Sequence, residues 1–376
     1  MTTGRAALVL TGGGARAAYQ VGVLGALREL WGAREGNPFP ILCGTSAGAI
    51  NAVALATHAH DFSVAVRRVA WIWRHFHVDQ VYRADAAALA ATGIRWGGAL
   101  LTGWMVRQTP RSMLDNAPLA RLLESTLDFP AIGRNINEGH LRAVSVTASG
   151  YTSGESLAFF QAAADIPNWR RAQRVGVRAT LGIPHLMATS AIPFVFPAVR
   201  INREYFGDGS MRQLAPISPA VHLGADRILV IGAGRLSEEG RQRGDAYPSL
   251  AQIAGHAMSS IFLDGLAVDL ERLERINKTL GRFSAEQRAA AGVALRPIEA
   301  LAILPSRRID AIAGHHRKSL PRAMRVVLGG VGGMRRSGST LLSYLLFEPG
   351  FTRALMALGY EDAMAQRTAV ADFLRL

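Results

Sequence analysis

The sequence predicts an α/β protein: a three-layer α/β/α arrangement around a mainly parallel sheet, with a helical insertion and a helical C-terminal region. Three observations lead there. Short apolar runs of strand length alternate with stretches of helical periodicity through the first 235 residues. Glycine-rich turns follow the first two of those runs, as in βα units. The chain has 376 residues, 49% of them hydrophobic, enough to bury one large core or two modest ones.

The first strand is read at Ala6–Leu10. It runs into Thr11-Gly12-Gly13-Gly14-Ala15-Arg16 and then a helix with Val23, Leu24, Leu27, Leu30 and Trp31 at three- and four-residue spacing. Three glycines after a strand expose backbone N–H groups, and such a nest continued into a helix can hold an anion. Arg16 adds positive charge one turn in. Gly12, Gly14 and Ala17 also fit the dinucleotide fingerprint G-x-G-x-x-G/A, so a nucleotide-binding module is the alternative. That fingerprint expects a carboxylate about 20 residues on, at the end of a second strand. Glu29 falls inside the first helix and Glu35 in a loop, and neither fits.

The second strand, Phe39–Cys43, ends in Gly44-Thr45-Ser46-Ala47-Gly48 and a second helix at Ala49–Leu55. This is G-x-S-x-G in its strand-turn-helix context. Gly44 and Gly48 remove side chains that would clash in a sharp turn. The turn pushes the Ser46 hydroxyl out of the sheet, and the helix N-terminus behind it favours negative charge. That suits a nucleophile whose attack creates an oxyanion.

Helical material from about 60 to 130 interrupts the alternation. Within it, residues 94–107 hold Arg95, Trp96, Trp104 and Arg107 around an apolar middle, a pattern of interfacial anchors that could form a hinged lid. Further strands are read at Leu141–Thr147, Val199–Phe206 and Arg227–Ile231. The second of these leads into Gly207-Asp208-Gly209, where an Asp between glycines can approach another loop closely. A long amphipathic helix is expected at 249–280, a strand at Ala300–Leu304, and helices beyond 320 broken by a loop at Gly329–Gly333. The chain thus divides into a catalytic core at 1–235 and a mostly helical part at 236–376, packed on the core or completing it.

The ten histidines offer no clear triad member; His185 and His222, flanking the Asp208 region, are the best candidates. Cys43 is the single cysteine, so no intrachain disulfide forms, and it reads as a buried small residue. No cluster has metal-ligand spacing, and neither metal nor other cofactor is expected. The net charge of +14 suits an anionic partner. Basic residues are dispersed without a nucleic-acid motif, so no nucleic acid is expected and an anionic membrane surface fits better. No secretory signal is readable, and the apolar run at 39–57 reads as buried strand plus helix, so cytoplasmic residence with peripheral membrane contact is the expectation.

The order Gly-Gly-Gly-x-Arg, Gly-x-Ser-x-Gly and a distant Asp-Gly resembles the patatin-like phospholipases. Ser112–Leu119, Ala188–Pro197 and Leu345–Phe351 are similar to bacterial members. Ala17 stands where the family usually has Gly after the basic residue, and Ser210 where Gly or Ala usually follows Asp-Gly; both replacements are small. The resemblance implies a Ser–Asp dyad, with Ser46 as nucleophile and Asp208 as base. It implies an oxyanion hole from the Gly12–Gly14 loop; the N–H groups of Gly13, Gly14 and Ala47 are read as its donors, with Arg16 fixing the loop or adding positive potential. It further implies hydrolysis of phospholipid or related ester bonds, with acyl transfer to an alcohol or thiol as the alternative.

Overall fold

The computed structural model describes residues 5–102, 112–235 and 247–376. Ten strands form one sheet: β1 (Ala6–Leu10), β2 (Ile41–Thr45), β3 (Ala143–Gly150), β4 (Ser156–Ala162), β5 (Trp169–Arg171), β6 (Arg174–Arg178), β7 (Val199–Ile201), β8 (Glu204–Asp208), β9 (Arg227–Ile231) and β10 (Glu299–Ile303). The helices of the first 235 residues are α1 (Ala18–Trp31), α2 (Ala47–Ala56), α3 (Phe62–Arg74), α4 (Ala86–Thr102), α5 (Ala117–Thr126), α6 (Phe129–Asn137), α7 (Ile183–Thr189) and α8 (Ser218–His222). After them come α9 (Leu250–Leu280), α10 (Ala285–Ala290), α11 (Ile309–His316), α12 (Arg322–Gly330), α13 (Ser339–Leu345), α14 (Pro349–Ala365) and α15 (Arg367–Leu374).

The centre of the sheet is parallel, in the order β10-β9-β1-β2-β3. β1, β2 and β9 are largely apolar on both faces, as strands covered on both sides require. Leu8, Leu10, Leu42 and Val144 face one core with α1, α2, α3 and α14. Ala7, Val9, Ile41, Cys43, Ile228 and Val230 face the other, under α8 and the Leu266–Leu273 part of α9. The three layers follow directly.

The sequence reading of a mainly parallel sheet holds, and two features of it were not read. Beyond β3 the sheet turns mixed: β4 is antiparallel to β3, β6 parallel to β4, and β5 antiparallel to β6. The stretch expected as one strand, Val199–Phe206, is a hairpin, because Asn202 takes a left-handed φ of 55° and reverses the chain between β7 and β8.

β10 extends the sheet beside β9. α14 packs backbone to backbone on α1; a Cβ added at Gly22 would lie 1.9 Å from the Met356 carbonyl oxygen. α9 is long and apolar enough by length and composition to cross a bilayer, but Met258, Phe262, Leu266 and Leu273 are buried within the protein.

Candidate active site

β3 acts as the ruler that brings two distant loops together. Along one edge it pairs first with β2, Thr147 opposite Thr45. There β2 ends and turns into α2, and β8 takes over the vacated edge, with Ala148 opposite Asp208. Thr45 and Asp208 therefore sit against consecutive residues of β3. Ser46, one residue past Thr45, meets Asp208 directly: its Oγ donates to Asp208 Oδ2 at 2.6 Å.

Ser46 occupies a strained turn. Its φ of 53° and ψ of −131° lie where L-residues are rare. The flanking glycines permit this. A Cβ at Gly44 would lie 2.4 Å from the Ala49 Cα, and one at Gly48 would lie 2.3 Å from the Leu10 carbonyl oxygen. The Ser46 N–H donates to Thr189 Oγ1 at 2.8 Å, and that hydroxyl donates to the Thr147 carbonyl. Ala47 is the first residue of α2, so its N–H has no intrahelical acceptor.

Asp208 is 1% exposed. Its Oδ1 accepts from the Ser210 N–H at 2.9 Å, and its own N–H donates to the Ala191 carbonyl at 2.9 Å. Burial pushes its carboxyl up to about 6, against the opposing pull of hydrogen bonds from Ser46 and Ser210. Gly209 packs against β3, where a Cβ would lie 2.0 Å from the Thr147 carbonyl oxygen.

The glycine loop follows β1, at the point where the chain's connections diverge to β2 on one side and β9 on the other. Gly14, at φ 53°, lines the same cavity as Ser46 and Ala47. Gly12 faces Ser210 and Phe262, and Gly13 faces Ala233 while its carbonyl accepts from the Arg16 N–H. Arg16 is only 5% exposed, and its guanidinium turns to α13. Nε donates to Ser343 Oγ at 2.7 Å, and the group lies 3.9 Å from the Tyr344 ring centroid. The Tyr344 carbonyl in turn abuts Gly14. Arg16 therefore clamps the loop to α13.

Beside Ser46 opens a narrow cavity of about 60 Å³. Its walls come from α2 (Ile50, Ala54), α3 (Val69, Ile72, Trp73), α5 (Leu119, Leu122, Leu123) and the residues Ile192, Phe196 and Phe347. No charged side chain lines it among the described residues, which suits a hydrocarbon chain. Asn51, also in the wall, donates to Gln20 Oε1 at 3.0 Å and accepts from Trp73 Nε1 at 2.8 Å. Gln20 donates to the Thr11 carbonyl at 2.7 Å, so one buried network ties the glycine loop to α2 and α3.

The remaining candidates lie elsewhere. His185 packs edge-on to Phe159 and its Nδ1 accepts from the Gly182 N–H. His222 stacks on Trp169, with Nδ1 against the Ser218 carbonyl. Neither joins Ser46 or Asp208. Burial pushes the Cys43 thiol up to about 12, as a packing residue requires. Trp96 is half-buried and donates from Nε1 to the Ser112 carbonyl, while Arg95 is exposed. Trp104 and Arg107 lie outside the described residues. Next to Ser112, Met113 donates its N–H to the Phe194 carbonyl, and Phe194 is 76% exposed at a φ of 64°.

Sequence reasoning missed Thr189, Asn51, Gln20, Ser343 and Tyr344, none of which carries a local motif. The Ala188–Pro197 stretch pointed to the right segment without assigning a role to Thr189.

A family model described as patatin-like phospholipase matches residues 8–221, more than half of the chain. Among solved structures, VipD from Legionella pneumophila is similar over 97% of this chain and 67% of its own, at 12% identity and a TM-score of 0.37. No curated protein matches.

Proposed function

The chain belongs to the patatin-like phospholipase family, whose members this places among lipid hydrolases, and on that premise we propose that it cleaves carboxylic ester bonds of phospholipids or related lipids through a Ser46–Asp208 dyad. The observation that carries the reading is the 2.6 Å contact between Ser46 Oγ and Asp208 Oδ2 at the edge of an apolar cavity.

Ser46 Oγ attacks the ester carbonyl and its proton passes to Asp208. An ordinary carboxylate, with a pKa of about 3.9, is a weak base at neutral pH. Burial of Asp208 raises its basicity to about 6 while leaving most of it ionised at pH 7. The N–H groups of Ala47, Gly13 and Gly14 hold the carbonyl oxygen as it becomes an oxyanion. The tetrahedral intermediate expels the alcohol, which takes the proton from Asp208. The acyl group then rests on Ser46 with its chain in the cavity. Water attacks, gives its proton to Asp208, and the C–O bond to Ser46 breaks; Ser46 recovers the proton and the fatty acid leaves.

The exposed rim of Met113 and Phe194 beside Trp96 supports peripheral contact with a lipid surface, to which the net positive charge adds attraction if the surface is anionic. The test of the function is hydrolysis of a defined phospholipid panel. Ser46→Ala should abolish fatty-acid release while the fold persists, and retained release by the variant would overturn the assignment.

A further inference from the structure

Four polar side chains line the cavity beside Ser46: Ser46 itself, Asn51, Thr126 and Ser190. Three are committed inside the protein. Ser46 donates to Asp208, Asn51 bonds Gln20 and Trp73, and Thr126 Oγ1 donates to the Leu122 carbonyl at 2.7 Å. Ser190 is different. It is 7% exposed, and its hydroxyl is buried without a hydrogen-bond partner. Buried hydroxyls are nearly always paired, and an orphan costs stability. One that lines a cavity beside a nucleophile is placed to take a water or a ligand oxygen as its partner.

Its neighbours say where that partner must be. Thr189 Oγ1 accepts the Ser46 N–H and the Ala191 carbonyl accepts the Asp208 N–H. The tripeptide Thr189–Ala191 thus bridges nucleophile and base, with the free hydroxyl in the middle. The N–H groups assigned to the oxyanion belong to other elements, the glycine loop and the start of α2, whereas Ser190 adjoins the residue that holds the Asp208 N–H. That placement suits, better than the carbonyl oxygen, an oxygen that enters or leaves through Asp208. That oxygen must give its proton to the carboxylate while accepting a hydrogen bond, which a hydroxyl donor supplies.

We propose that Ser190 forms an acceptor subsite, its hydroxyl holding the water or primary alcohol whose oxygen attacks the acyl–Ser46 ester. The inference rests on the acyl-enzyme of the proposed function. The step balances as written for hydrolysis: the acceptor O–H proton goes to Asp208, the new C–O bond forms, the C–O bond to Ser46 breaks, and Ser46 takes the proton back. With an alcohol the product is an ester instead of an acid. By microscopic reversibility the departing lipid alcohol uses the same place.

The experiment compares the full chain with Ser190→Ala and Ser190→Thr on a p-nitrophenyl acyl ester, whose leaving group departs without a proton. Acyl adduct on Ser46 is followed by quenched intact-mass spectrometry during formation and decay. Ser190→Ala should acylate within about twofold of the wild-type rate and deacylate about tenfold more slowly. The ratio of acid to methyl ester in added methanol should change as well. Its melting temperature should be unchanged or higher, since an orphan hydroxyl is removed. Ser190→Thr, which keeps the hydroxyl, should recover most of the deacylation rate.

Equal losses in both steps, wild-type decay in Ser190→Ala, a lowered melting temperature, or no rescue by Ser190→Thr would overturn the subsite. A wild type that shows no adduct at Ser46 would remove the proposed function and the subsite together. Normal adduct formation with unaltered decay in Ser190→Ala would remove the subsite alone.

Discussion

Asp208→Asn should inactivate the protein and stabilise it at the same time. Burial moves the Asp208 carboxyl from its ordinary 3.8 to about 6. Between those pH values the folded protein holds a proton that the unfolded chain has released, so native stability falls as pH rises from about 4 to about 6 and is level above. At 1.36 kcal/mol per tenfold change, the ionised carboxylate costs about 3 kcal/mol at pH 8. Asn carries no charge at any pH. Its carbonyl oxygen can accept the Ser210 N–H where Oδ1 does now, and its amide can donate to Ser46 Oγ. The variant should therefore unfold at higher urea than wild type at pH 8, by up to about 3 kcal/mol, with the gap closing near pH 4. Turnover should fall by roughly 10² to 10⁴, because the amide cannot take the Ser46 proton. A variant less stable than wild type at pH 8, or a gap that does not close in acid, would refute the burial argument. Retained turnover would reduce Asp208 to a turn residue.

Other expectations follow from the same geometry. The pH profile of kcat/KM should fall about tenfold per pH unit below about 6 as Asp208 is protonated, and a midpoint near 4 would mean the carboxyl is not desolvated. Ala54→Phe intrudes on the cavity wall, so kcat/KM for long-chain esters should drop at least tenfold while acetyl esters change little; equal losses would place the acyl chain elsewhere. Met113→Ala/Phe194→Ala should weaken sedimentation with anionic vesicles without altering turnover of a soluble ester, and unchanged sedimentation would remove the rim from any lipid contact.

Much of the central sheet was legible because its signals are local. Five-residue apolar runs, glycine turns and a following 3.6-residue periodicity mark β1–α1 and β2–α2 without reference to the rest of the chain. The long α9 and β10 were readable for the same reason. The β7–β8 hairpin was not, since its reversal rests on Asn202, flanked by Ile201 and Arg203 without the glycine that marks most tight turns. The strands β5 and β6 were not readable either, since Trp169–Arg171 and Arg174–Arg178 are short and arginine-rich and carry no apolar run. At the site, Ser46 and Asp208 announce themselves by flanking glycines. Arg16 meets Ser343 across 327 residues of chain, and Ser46 meets Thr189 across 143. Such contacts are set by the register of β3 and the packing of α13, which no local pattern encodes.

The account stands on Ser46 as the nucleophile of an ester hydrolysis. The most direct measurement is to react the full chain with a fluorophosphonate, digest it, and map the adduct, alongside fatty-acid release from phospholipid vesicles. The account predicts one adduct per chain, on the peptide containing Ser46, with loss of fatty-acid release in proportion to labelling and no adduct in Ser46→Ala. An adduct on another serine, or full labelling of Ser46 with fatty-acid release undiminished, would contradict it.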